Sequence, residues 1–457
     1  MYKNYPTLSS HHIFVIPVGH YFDAPSDSCL MIYSPLANIF FLALPSEAAH
    51  LESALHSGDA NEIITSLLQQ KSSEEVTPYD TSYSAAGTLY LILNEKCNFH
   101  CRYCYSAGGR SNQEMNMEQI RAMLDVFFAP KSDAPQSRTI MYIGGGEPTL
   151  SWPLVEQTTP IAEEKARELG LDLRMRLSTN GSILTDKMLA FYKDHRFDLQ
   201  FSFDVLPDIQ DYQRGKWKVV DRNLKRLLAE DIPCLIRSTI TQENVSRIKE
   251  MVDFCHKNYP TIRGLICEPV VDPTLFTCPE DVDRYFRSYE KSFVEAVGYA
   301  RKAHIALMSS SYGSLRQLRE RFCYNLICVT PYGTLTTCPN ISSPQEDGYD
   351  KAIFAHIEPG NEPSASKVVF DDAAYHRLTQ GNIHTIEACK SCWARWNCGS
   401  GCPNQRRVYS QEIFDATCEH TRRMLLNHLM DELARKHEQK TGRNLFEDIS
   451  DKLKSAR

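Results

Sequence analysis

Apolar and polar residues alternate along the middle of the chain in a regular way. Between residues 88 and 305, six apolar runs of strand length are separated by stretches with helical periodicity. The runs are LYLILN (89–94), TIMYIG (139–144), LRMRLST (173–179), LQFSFD (199–204), CLIRSTI (234–240) and GLICEPV (264–270). Short buried strands that alternate with helices predict βα units on a parallel sheet. Six such units predict an α/β fold, a partial (β/α)6 barrel rather than a closed barrel of eight.

The segments on either side follow other patterns. In the first 70 residues, HIFVIPV, CLMIYSP and NIFFLAL predict three strands, and SEAAHLESALHSG and NEIITSLLQQ predict two helices, so this part is expected to be a small α+β unit. The polar, Ser- and Thr-rich stretch 71–87 predicts a linker. From about residue 311 the chain becomes rich in Cys, Gly and Pro, and the tail after Cys418 starts with the pattern of an amphipathic helix.

Length and charge exclude several classes of protein. The chain has 457 residues, which favours two or three domains. Its net charge of −7 lacks the basic footprint of a dedicated nucleic-acid binder. It contains no apolar run near the ~20 residues of a membrane span, and its N-terminus lacks the pattern of a signal peptide. We therefore expect a cytoplasmic protein that binds neither nucleic acid nor membrane.

Cysteine is the abnormal component. Sixteen cysteines are many for a cytosolic chain, in which clustered thiols more often bind metal or do redox chemistry than form disulfides. Three lie within residues 97–104 and eight within residues 323–418. The other five have no ligand spacing and are expected to be ordinary buried thiols: Cys29, Cys234, Cys255, Cys267 and Cys278.

The first cysteine group follows the first predicted barrel strand as a C-x3-C-x2-C loop. Parallel α/β folds build their active sites at the carboxyl ends of their strands. Three thiolates can hold three irons of a four-iron cluster and leave the fourth iron open, whereas zinc sites more often close with four ligands. The second strand ends in GGGEP (144–148), where glycines allow a ligand to approach the backbone closely.

These two motifs together resemble the radical S-adenosylmethionine (SAM) enzymes, over residues 88 to about 305. The resemblance implies that a catalytic [4Fe-4S] cluster is held by Cys97, Cys101 and Cys104 and that its open iron chelates the methionine moiety of SAM. It implies further SAM contacts near the methionine amine, the adenine, the ribose and the carboxylate, from Gly144, Gly145, Gly146, Glu147, Tyr103, Ser178, Asn180, Ser202 and Arg214. The chain departs from the family where SxDG is usual, because it reads Ser202-Phe-Asp204-Val.

The later cysteines resemble the SPASM domain in their spacing. The resemblance implies two auxiliary [4Fe-4S] clusters, one on Cys323, Cys328, Cys338 and Cys402 and the other on Cys389, Cys392, Cys398 and Cys418. Spacing alone leaves a pair of structural zinc ribbons open. The predicted domains are an N-terminal unit with linker (1–86), a radical SAM core (87–310), a SPASM domain (311–420) and a helical tail (421–457).

The resemblance also implies a reaction. SAM would be cleaved to methionine and a 5′-deoxyadenosyl radical, which abstracts a hydrogen atom from a substrate, and two further clusters suggest a net oxidation such as a thioether or carbon–carbon crosslink. The N-terminal unit is similar to the winged-helix-like modules that bind leader peptides, and the alternative is a structural cap on the barrel. The expected partners are a precursor peptide with a leader and a flavodoxin or ferredoxin as electron donor.

Three alternatives stay open at this point. Anaerobic sulfatase-maturing enzymes carry an Asp directly after the third SPASM cysteine, where this chain has Pro339 and then Asn340. The substrate could instead be a small molecule, as for a radical SAM dehydrogenase. A protein of another class, a non-catalytic binding protein stabilised by zinc, would also explain the thiols. Asp204 and Glu268, at predicted strand ends, are possible proton acceptors.

Overall fold

The computed structural model describes residues 5–59, 61–69, 76–77, 82–130, 136–314, 317–323, 326–361 and 366–455. Most of the predicted linker lies outside these ranges. The strands are β1 (Phe14–Pro17), β2 (Leu30–Ser34), β3 (Ile39–Ala43), β4 (Val76–Thr77), β5 (Thr88–Ile92), β6 (Ser137–Ile143), β7 (Asp172–Thr179), β8 (Asp198–Ser202), β9 (Cys234–Ile240), β10 (Gly264–Pro269), β11 (Leu307–Met308), β12 (Leu318–Arg319), β13 (Leu326–Val329), β14 (Thr334–Thr336), β15 (Ile353–Glu358) and β16 (Lys367–Phe370).

The helices lie mainly between the parallel strands and at the two ends of the chain. They are α1 (Pro6–Ser10), α2 (Pro45–Ser57), α3 (Glu62–Leu68), α4 (Met117–Phe128), α5 (Trp152–Glu168), α6 (Asp186–Asp194), α7 (Pro207–Gln213), α8 (Trp217–Ala229), α9 (Ile248–Asn258), α10 (Pro279–Lys302), α11 (Ser310–Gly313), α12 (Tyr349–Ala352), α13 (Asp372–Thr379), α14 (Glu387–Lys390), α15 (Arg395–Cys398), α16 (Pro403–Val408), α17 (Gln411–Thr441) and α18 (Leu445–Ser455).

The centre of the fold is a parallel sheet in the order β5-β6-β7-β8-β9-β10-β11. Strands β5 to β10 coincide with the six predicted strands to within two residues, so the predicted partial α/β barrel is confirmed. Helices between the strands cover its outer face; α4, for example, starts with a capping box between Asn116 and Gln119 and buries Ile120, Met123 and Phe127. The short strand β11 is a seventh parallel strand that the pattern did not reveal, because two residues are too few to show alternation.

The cysteine-rich segment continues the same sheet at its other edge. Strand β13 pairs in parallel with β5, with Cys328 opposite Tyr90, and β14, β15 and β16 follow in antiparallel order. The result is one sheet of eleven strands that runs from β11 to β16. The sequence predicted the end of the βα alternation near residue 311 but did not predict this shared sheet.

The N-terminal unit is an antiparallel sheet in the order β1-β2-β3 with helices on one face. Helix α1, which was not predicted, packs through Leu8 on that helical side. The other face packs on the C-terminal part of the chain, against Trp393, Trp396 and Leu429 among others. Strand β2 is therefore buried on both faces. The unit is docked on the cysteine-rich region, and its two core clusters do not include the barrel strands.

The C-terminal segment is dominated by α17, a helix of 31 residues. It packs on α10 through buried ion pairs, in which Glu290 accepts from Arg423 Nε at 2.7 Å and lies 2.8 Å from Nδ1 of His420. The predicted amphipathic helix therefore begins before Cys418, and the boundary predicted at residue 420 falls inside it. The boundary predicted at residue 310 falls at the start of α11, so the division into domains stays a prediction. Among the described residues, no helix has the length and apolarity to cross a bilayer.

Candidate active site

A cavity of about 1030 Å³ opens at the carboxyl ends of the parallel strands. One side is formed by the strand ends and the loops that follow them. Two segments of the cysteine-rich region also line the cavity and contribute Pro339, Asn340, Glu346, Asn404 and Arg407 among others. The predicted site residues that line this cavity are Cys97, Cys101, Tyr103, Cys104, Gly144, Gly145, Gly146, Glu147, Ser178, Asn180, Ser202 and Arg214.

The loop after β5 brings its three thiols to this cavity. Cys97, Cys101 and Cys104 are each half-buried. Burial raises the pKa of the Cys101 thiol, and the nearby Arg214 guanidinium opposes that shift. Arg110 donates from Nη2 to Sγ of Cys104 at 3.0 Å. Three thiols on one loop, beside two cations that favour the thiolate form, fit the donor set of a cluster with one open iron.

Arg110 is a site residue that sequence reasoning missed. Besides Cys104 it donates from Nη1 to the carbonyl oxygen of Gly145 at 2.7 Å, so it joins the thiol loop to the glycine run. The signal that could have found it is weak. A single arginine six positions after the last cysteine of the loop has no distinctive spacing, and only the folded loop brings it back to the sulfur.

The glycine run is also required for packing. A Cβ atom on Gly145 would lie 2.1 Å from Oε2 of Glu95, and one on Gly146 would lie 1.9 Å from the carbonyl oxygen of Lys96. The amide of Gly146 donates to the carbonyl of Asn94 at 2.9 Å. The glycines therefore let the loop after β6 close directly on the chain that leads into the thiol loop, in addition to leaving backbone accessible to a ligand.

Glu147 joins two loops through its carboxylate. It is 2% exposed, and it accepts from Oγ1 of Thr149 and Oγ1 of Thr179, both at 2.7 Å, and from the amide of Asn180 at 2.7 Å. Its side chain therefore holds the loop after β7 against the loop after β6. Asn180 in turn donates from Nδ2 to Oδ1 of Asn98 in the thiol loop at 2.9 Å.

Asp204 fixes Tyr103 rather than facing the cavity. Its side chain is fully buried and accepts from the Tyr103 hydroxyl at 2.6 Å, from Oγ of Ser238 at 2.9 Å and from Nε2 of Gln213 at 3.1 Å. Arg214 donates to the same Tyr103 hydroxyl at 2.8 Å. Burial raises the pKa of Asp204. Because both carboxylate oxygens are engaged behind the loop, the interpretation of Asp204 as a proton acceptor is replaced by a positioning role.

The departure from the SxDG motif is visible in the backbone conformation of Val205. Val205, where the resemblance leads one to expect glycine, has φ of +63° and is fully buried. This left-handed conformation favours glycine and costs a β-branched residue roughly 1–2 kcal/mol. The loop thus keeps the backbone shape that glycine would give, and packing of the valine side chain offsets its strain.

Ser178, Ser202 and Glu268 line the cavity from the inner faces of β7, β8 and β10. Gln200 donates from Nε2 to Oγ of Ser178 at 3.3 Å. Glu268 accepts from the amide and the hydroxyl of Ser310 at 2.9 and 2.7 Å through one carboxylate oxygen. Unlike Asp204, Glu268 is therefore in a place from which it can meet a substrate.

The eight later cysteines form two neighbourhoods. Burial, and then the charge of neighbouring thiols, raises the pKa of Cys323, Cys338 and Cys398 to about 12. In the first neighbourhood, the charges of nearby thiols raise the pKa values within the set Cys323, Cys328, Cys338 and Cys402. In the second neighbourhood, the same effect acts within the set Cys389, Cys392, Cys398 and Cys418. The thiols of each predicted set are thus near one another, and the assignment of a cluster to each set stays a prediction.

Arginines surround both neighbourhoods. Arg407 and Arg321 lie near the first set, and Arg319, Arg406 and Arg422 lie near the second. Arg422 also donates from Nη1 to Sγ of Cys392 at 3.8 Å. Cations beside the thiols offset the negative charge of bound thiolates, which suits an anionic iron–sulfur cluster. Within the described ranges, no three or more His, Cys, Asp or Glu side chains are grouped tightly enough to hold one metal ion.

The chain thus combines a partial parallel barrel with a three-thiol loop and a glycine run at its carboxyl edge. This combination is typical of barrel enzymes that use a metal cluster. Residues 91–255 match the radical SAM superfamily. These residues are therefore a radical SAM domain, whose family implies a [4Fe-4S] cluster and SAM as cofactors. The predicted resemblance is confirmed for this part of the chain.

Relatives match shorter parts of the chain. A segment of 127 residues, 27% of this chain, is 33% identical to the tungsten-containing aldehyde ferredoxin oxidoreductase cofactor-modifying protein of Pyrococcus furiosus and covers 32% of that protein. A segment of 196 residues, 40% of this chain, is 22% identical to the cysteine-type anaerobic sulfatase-maturating enzyme of Clostridium novyi and covers 52% of it. The chain thus spans between about a third and a half of the length of these curated relatives.

The fold is similar to that of a solved structure over most of the chain. The protein anSMEcpe with bound AdoMet superimposes with a TM-score of 0.55 and 13% identity, over 77% of this chain and 98% of that chain. The same protein with bound AdoMet and the Cp18Cys peptide gives a TM-score of 0.53 over 75% of this chain and 97% of that chain, at 14% identity. At this identity the likeness establishes the fold alone.

Proposed function

We propose that this chain is a peptide maturase that forms an oxidative crosslink, either carbon–carbon or thioether, within a ribosomally made precursor peptide. One observation carries the proposal. The cavity is lined both by the three-thiol loop and by Pro339 and Asn340, which directly follow Cys338. A substrate in this cavity would be near the cluster proposed on the thiol loop and near the cluster proposed on the set that contains Cys338, which would accept an electron.

The proposed reaction balances with these two sites. The cofactors supply one-electron cleavage of SAM to methionine and a 5′-deoxyadenosyl radical, which becomes 5′-deoxyadenosine by taking one hydrogen atom from a substrate carbon. The substrate carbon radical would then bond to a second residue, which releases a proton, and one electron would leave to the clusters proposed on the auxiliary thiol sets. The peptide loses two hydrogens in total. In this scheme Arg110 holds the thiol loop against the glycine run, and Arg214 with Asp204 orients Tyr103.

The auxiliary centres are part of the proposal. We assign one [4Fe-4S] cluster to Cys323, Cys328, Cys338 and Cys402 and another to Cys389, Cys392, Cys398 and Cys418. The proximity of the four thiols in each set and the arginines beside them support this assignment. A flavodoxin or a ferredoxin is the proposed source of the first electron.

The N-terminal unit supports a peptide substrate. Strand β3 lies at the edge of its three-stranded sheet, and an extended leader peptide could add to it through backbone hydrogen bonds. Leu44, which directly follows β3, is 45% exposed and offers an apolar contact beside that edge. The Tyr33 hydroxyl donates to Oδ1 of Asn397 at 2.6 Å, which anchors the unit to the cysteine-rich region. A leader bound there would be held at a constant distance from the cavity.

Maturation of a sulfatase is the second candidate. It is favoured by the similarity to a cysteine-type anaerobic sulfatase-maturating enzyme. The position after Cys338 carries Pro339 instead of the acidic residue of that family, which disfavours this activity. Glu268 and Asp347 also line the cavity and are the acidic residues that could replace the missing base.

A mass measurement separates the candidates. Enzyme reconstituted anaerobically with iron, sulfide and SAM is reduced with dithionite and incubated with the short peptide encoded beside its gene or with a sulfatase-derived cysteine peptide. A crosslinking maturase makes 5′-deoxyadenosine and removes two hydrogens from the neighbouring peptide. Conversion of the sulfatase cysteine to formylglycine would select the second candidate. Tetrahedral zinc without iron in the purified protein would exclude both and indicate a binding protein.

A further inference from the structure

Two arginines and a tyrosine converge inside the barrel, on the strands that lead up to the thiol loop. Tyr90 of β5 lies opposite Met141 of β6, which lies opposite Arg176 of β7. Arg237 of β9 lies opposite Ser202 of β8. Tyr90, Arg176 and Arg237 all line the cavity, and the residues on either side of each arginine are buried in the sheet. Their side chains therefore face the interior of the barrel.

The two arginines act on the Tyr90 hydroxyl from different levels of the sheet, because Arg176 lies opposite Asp198 and Arg237 lies opposite Ser202. Burial raises the pKa of the Tyr90 hydroxyl, and the positive charges of Arg176 and Arg237 both act on the same hydroxyl in the opposite direction. Tyr90 thus lies within electrostatic reach of two guanidinium groups that come from separate strands. We call Tyr90, Arg176 and Arg237 the basic pocket.

The guanidinium groups of the two arginines of the basic pocket make no hydrogen bond and no ion pair with the described part of the chain. The other arginines that line the cavity are engaged. Arg110 donates to Cys104, and Arg214 donates to Tyr103. Arg176 is half-buried and Arg237 is exposed to the cavity, so both guanidinium groups are available to an anion that enters it.

The acidic groups of the same cavity do not neutralise the pocket. Those with hydrogen bonds to other groups are Glu147, Glu268, Asp272 and Glu346. Asp347 is exposed and lies in the segment that follows Cys338. Within the described ranges no ion pair links any of these carboxylates to Arg176 or Arg237.

We propose that the basic pocket binds a carboxylate of the substrate peptide and so selects an acidic residue, or a free C-terminus, next to the modified position. This inference rests on the proposed function and adds a substrate class to it. Guanidinium groups bind carboxylates through paired N–H donors, and the Tyr90 hydroxyl can donate a further hydrogen bond. Arg176 precedes Ser178 by two residues, about 7 Å along β7, whereas Arg237 lies opposite Ser202, at the level of a proposed SAM contact.

The test uses small carboxylates that mimic an acidic side chain and a free C-terminus. Reconstituted enzyme with SAM is titrated with N-acetyl-aspartate N-methylamide, with N-acetylalanine as a free C-terminus, and with N-acetyl-asparagine N-methylamide as the neutral match. We expect one of the two acids to bind at least about tenfold more tightly than the neutral amide. Whichever acid is preferred identifies the source of the carboxylate. Equal binding of both acids and the amide would overturn the inference.

The variants Arg176→Gln and Arg237→Gln assign the preference to the pocket. We expect each to reduce the preference for the acid to less than about threefold, while Arg176→Lys keeps part of it. The matched control Arg222→Gln removes the same charge from an exposed position of α8 and should keep the full preference. Binding of SAM is measured in parallel, and an equal loss of SAM affinity in the pocket variants would show that the arginines serve the cofactor, which overturns the inference.

The failure of this inference can be told from the failure of the proposed function. Wild-type enzyme that makes 5′-deoxyadenosine but does not distinguish acid from amide contradicts the inference alone. Wild-type enzyme with its full iron content that makes no 5′-deoxyadenosine contradicts the proposed function, whichever probe it binds.

Discussion

The thiol loop at residues 97–104 and the two later thiol sets differ in how they are built. The loop places its three cysteines within eight consecutive residues, directly after a strand, and all three line an open cavity. The later sets combine residues from distant segments, as when Cys323 and Cys402 become neighbours. Each later set has four thiols, which would complete the ligands of a four-iron cluster. A site with three ligands leaves a place for a reacting molecule, whereas a site with four can only store or pass electrons.

The thiol loop and the later thiol sets also differ in what holds them in place. The loop is held by side chains that reach it from other loops, with Asp204 behind Tyr103 and Arg110 on Cys104. The later sets are held by packing, because the second of them adjoins the core formed with the N-terminal sheet. The comparison teaches that the thiol loop depends on hydrogen-bonded positioning, whereas the later thiol sets depend on the assembly of segments far apart in the chain.

Removal of the loop thiols should have the largest effect. In the triple variant Cys97→Ala, Cys101→Ala and Cys104→Ala we expect 5′-deoxyadenosine formation to fall more than about 1000-fold, because no open iron is left to hold SAM. Iron content should fall by about four atoms per chain and not to zero. Chromatography of the nucleoside and an iron assay check both numbers, with Cys278→Ala as the control because that thiol belongs to none of the three groups. Unchanged iron in the triple variant would contradict the assignment.

Removal of one later thiol should separate SAM cleavage from product formation. Cys328 lies on β13, opposite Tyr90, and is fully buried. For Cys328→Ala we expect peptide product to fall more than about 100-fold, while 5′-deoxyadenosine formation stays within about tenfold of wild type, because the substrate radical loses its electron acceptor. The ratio of the two products is the measurement, and Cys255→Ala, another buried thiol, is the control. An unchanged ratio of peptide product to 5′-deoxyadenosine would mean that the thiol loop and the later thiol sets do not have distinct functions.

Asp204→Asn tests the positioning of the thiol loop. The amide keeps the shape but turns an acceptor of the Tyr103 hydrogen bond partly into a donor, so we expect 5′-deoxyadenosine formation to fall by about 10–100-fold, as for other outer-shell partners of metal sites. Iron content should be unchanged, since no thiol is lost. The exposed Asp194→Asn on α6 is the matched control. Loss of iron without a change in the rate per cluster would show that Asp204 serves stability alone.

Tyr33→Phe should have the smallest effect of these variants. It tests the packed contact between the N-terminal unit and the cysteine-rich region. The variant removes the hydrogen bond to Asn397 and leaves the ring in the core, so the free energy of unfolding should fall by about 1 kcal/mol. The midpoint of urea unfolding measures the change. Tyr5→Phe, on the opposite side of the same unit, should shift the midpoint less. Equal shifts would contradict a specific anchoring contact.

The sequence by itself determined the features that depend on neighbours along the chain. Alternation of apolar runs predicted β5 to β10, because a strand buried on both faces needs a run of apolar residues. The spacing of Cys97, Cys101 and Cys104 predicted the thiol loop because a single loop carries all three. The glycine run was equally visible, although its packing against Glu95 and Lys96 was not.

The tertiary structure decided what depends on residues far apart in the chain. No local pattern could show that β13 joins β5, that the N-terminal sheet docks on the cysteine-rich region, or that Asp204 faces Tyr103. The convergence of Tyr90, Arg176 and Arg237 is of the same kind, because each residue on its own strand is unremarkable. Hydrophobic periodicity is a property of one segment, whereas the meeting of side chains requires that several segments have already packed around a common core.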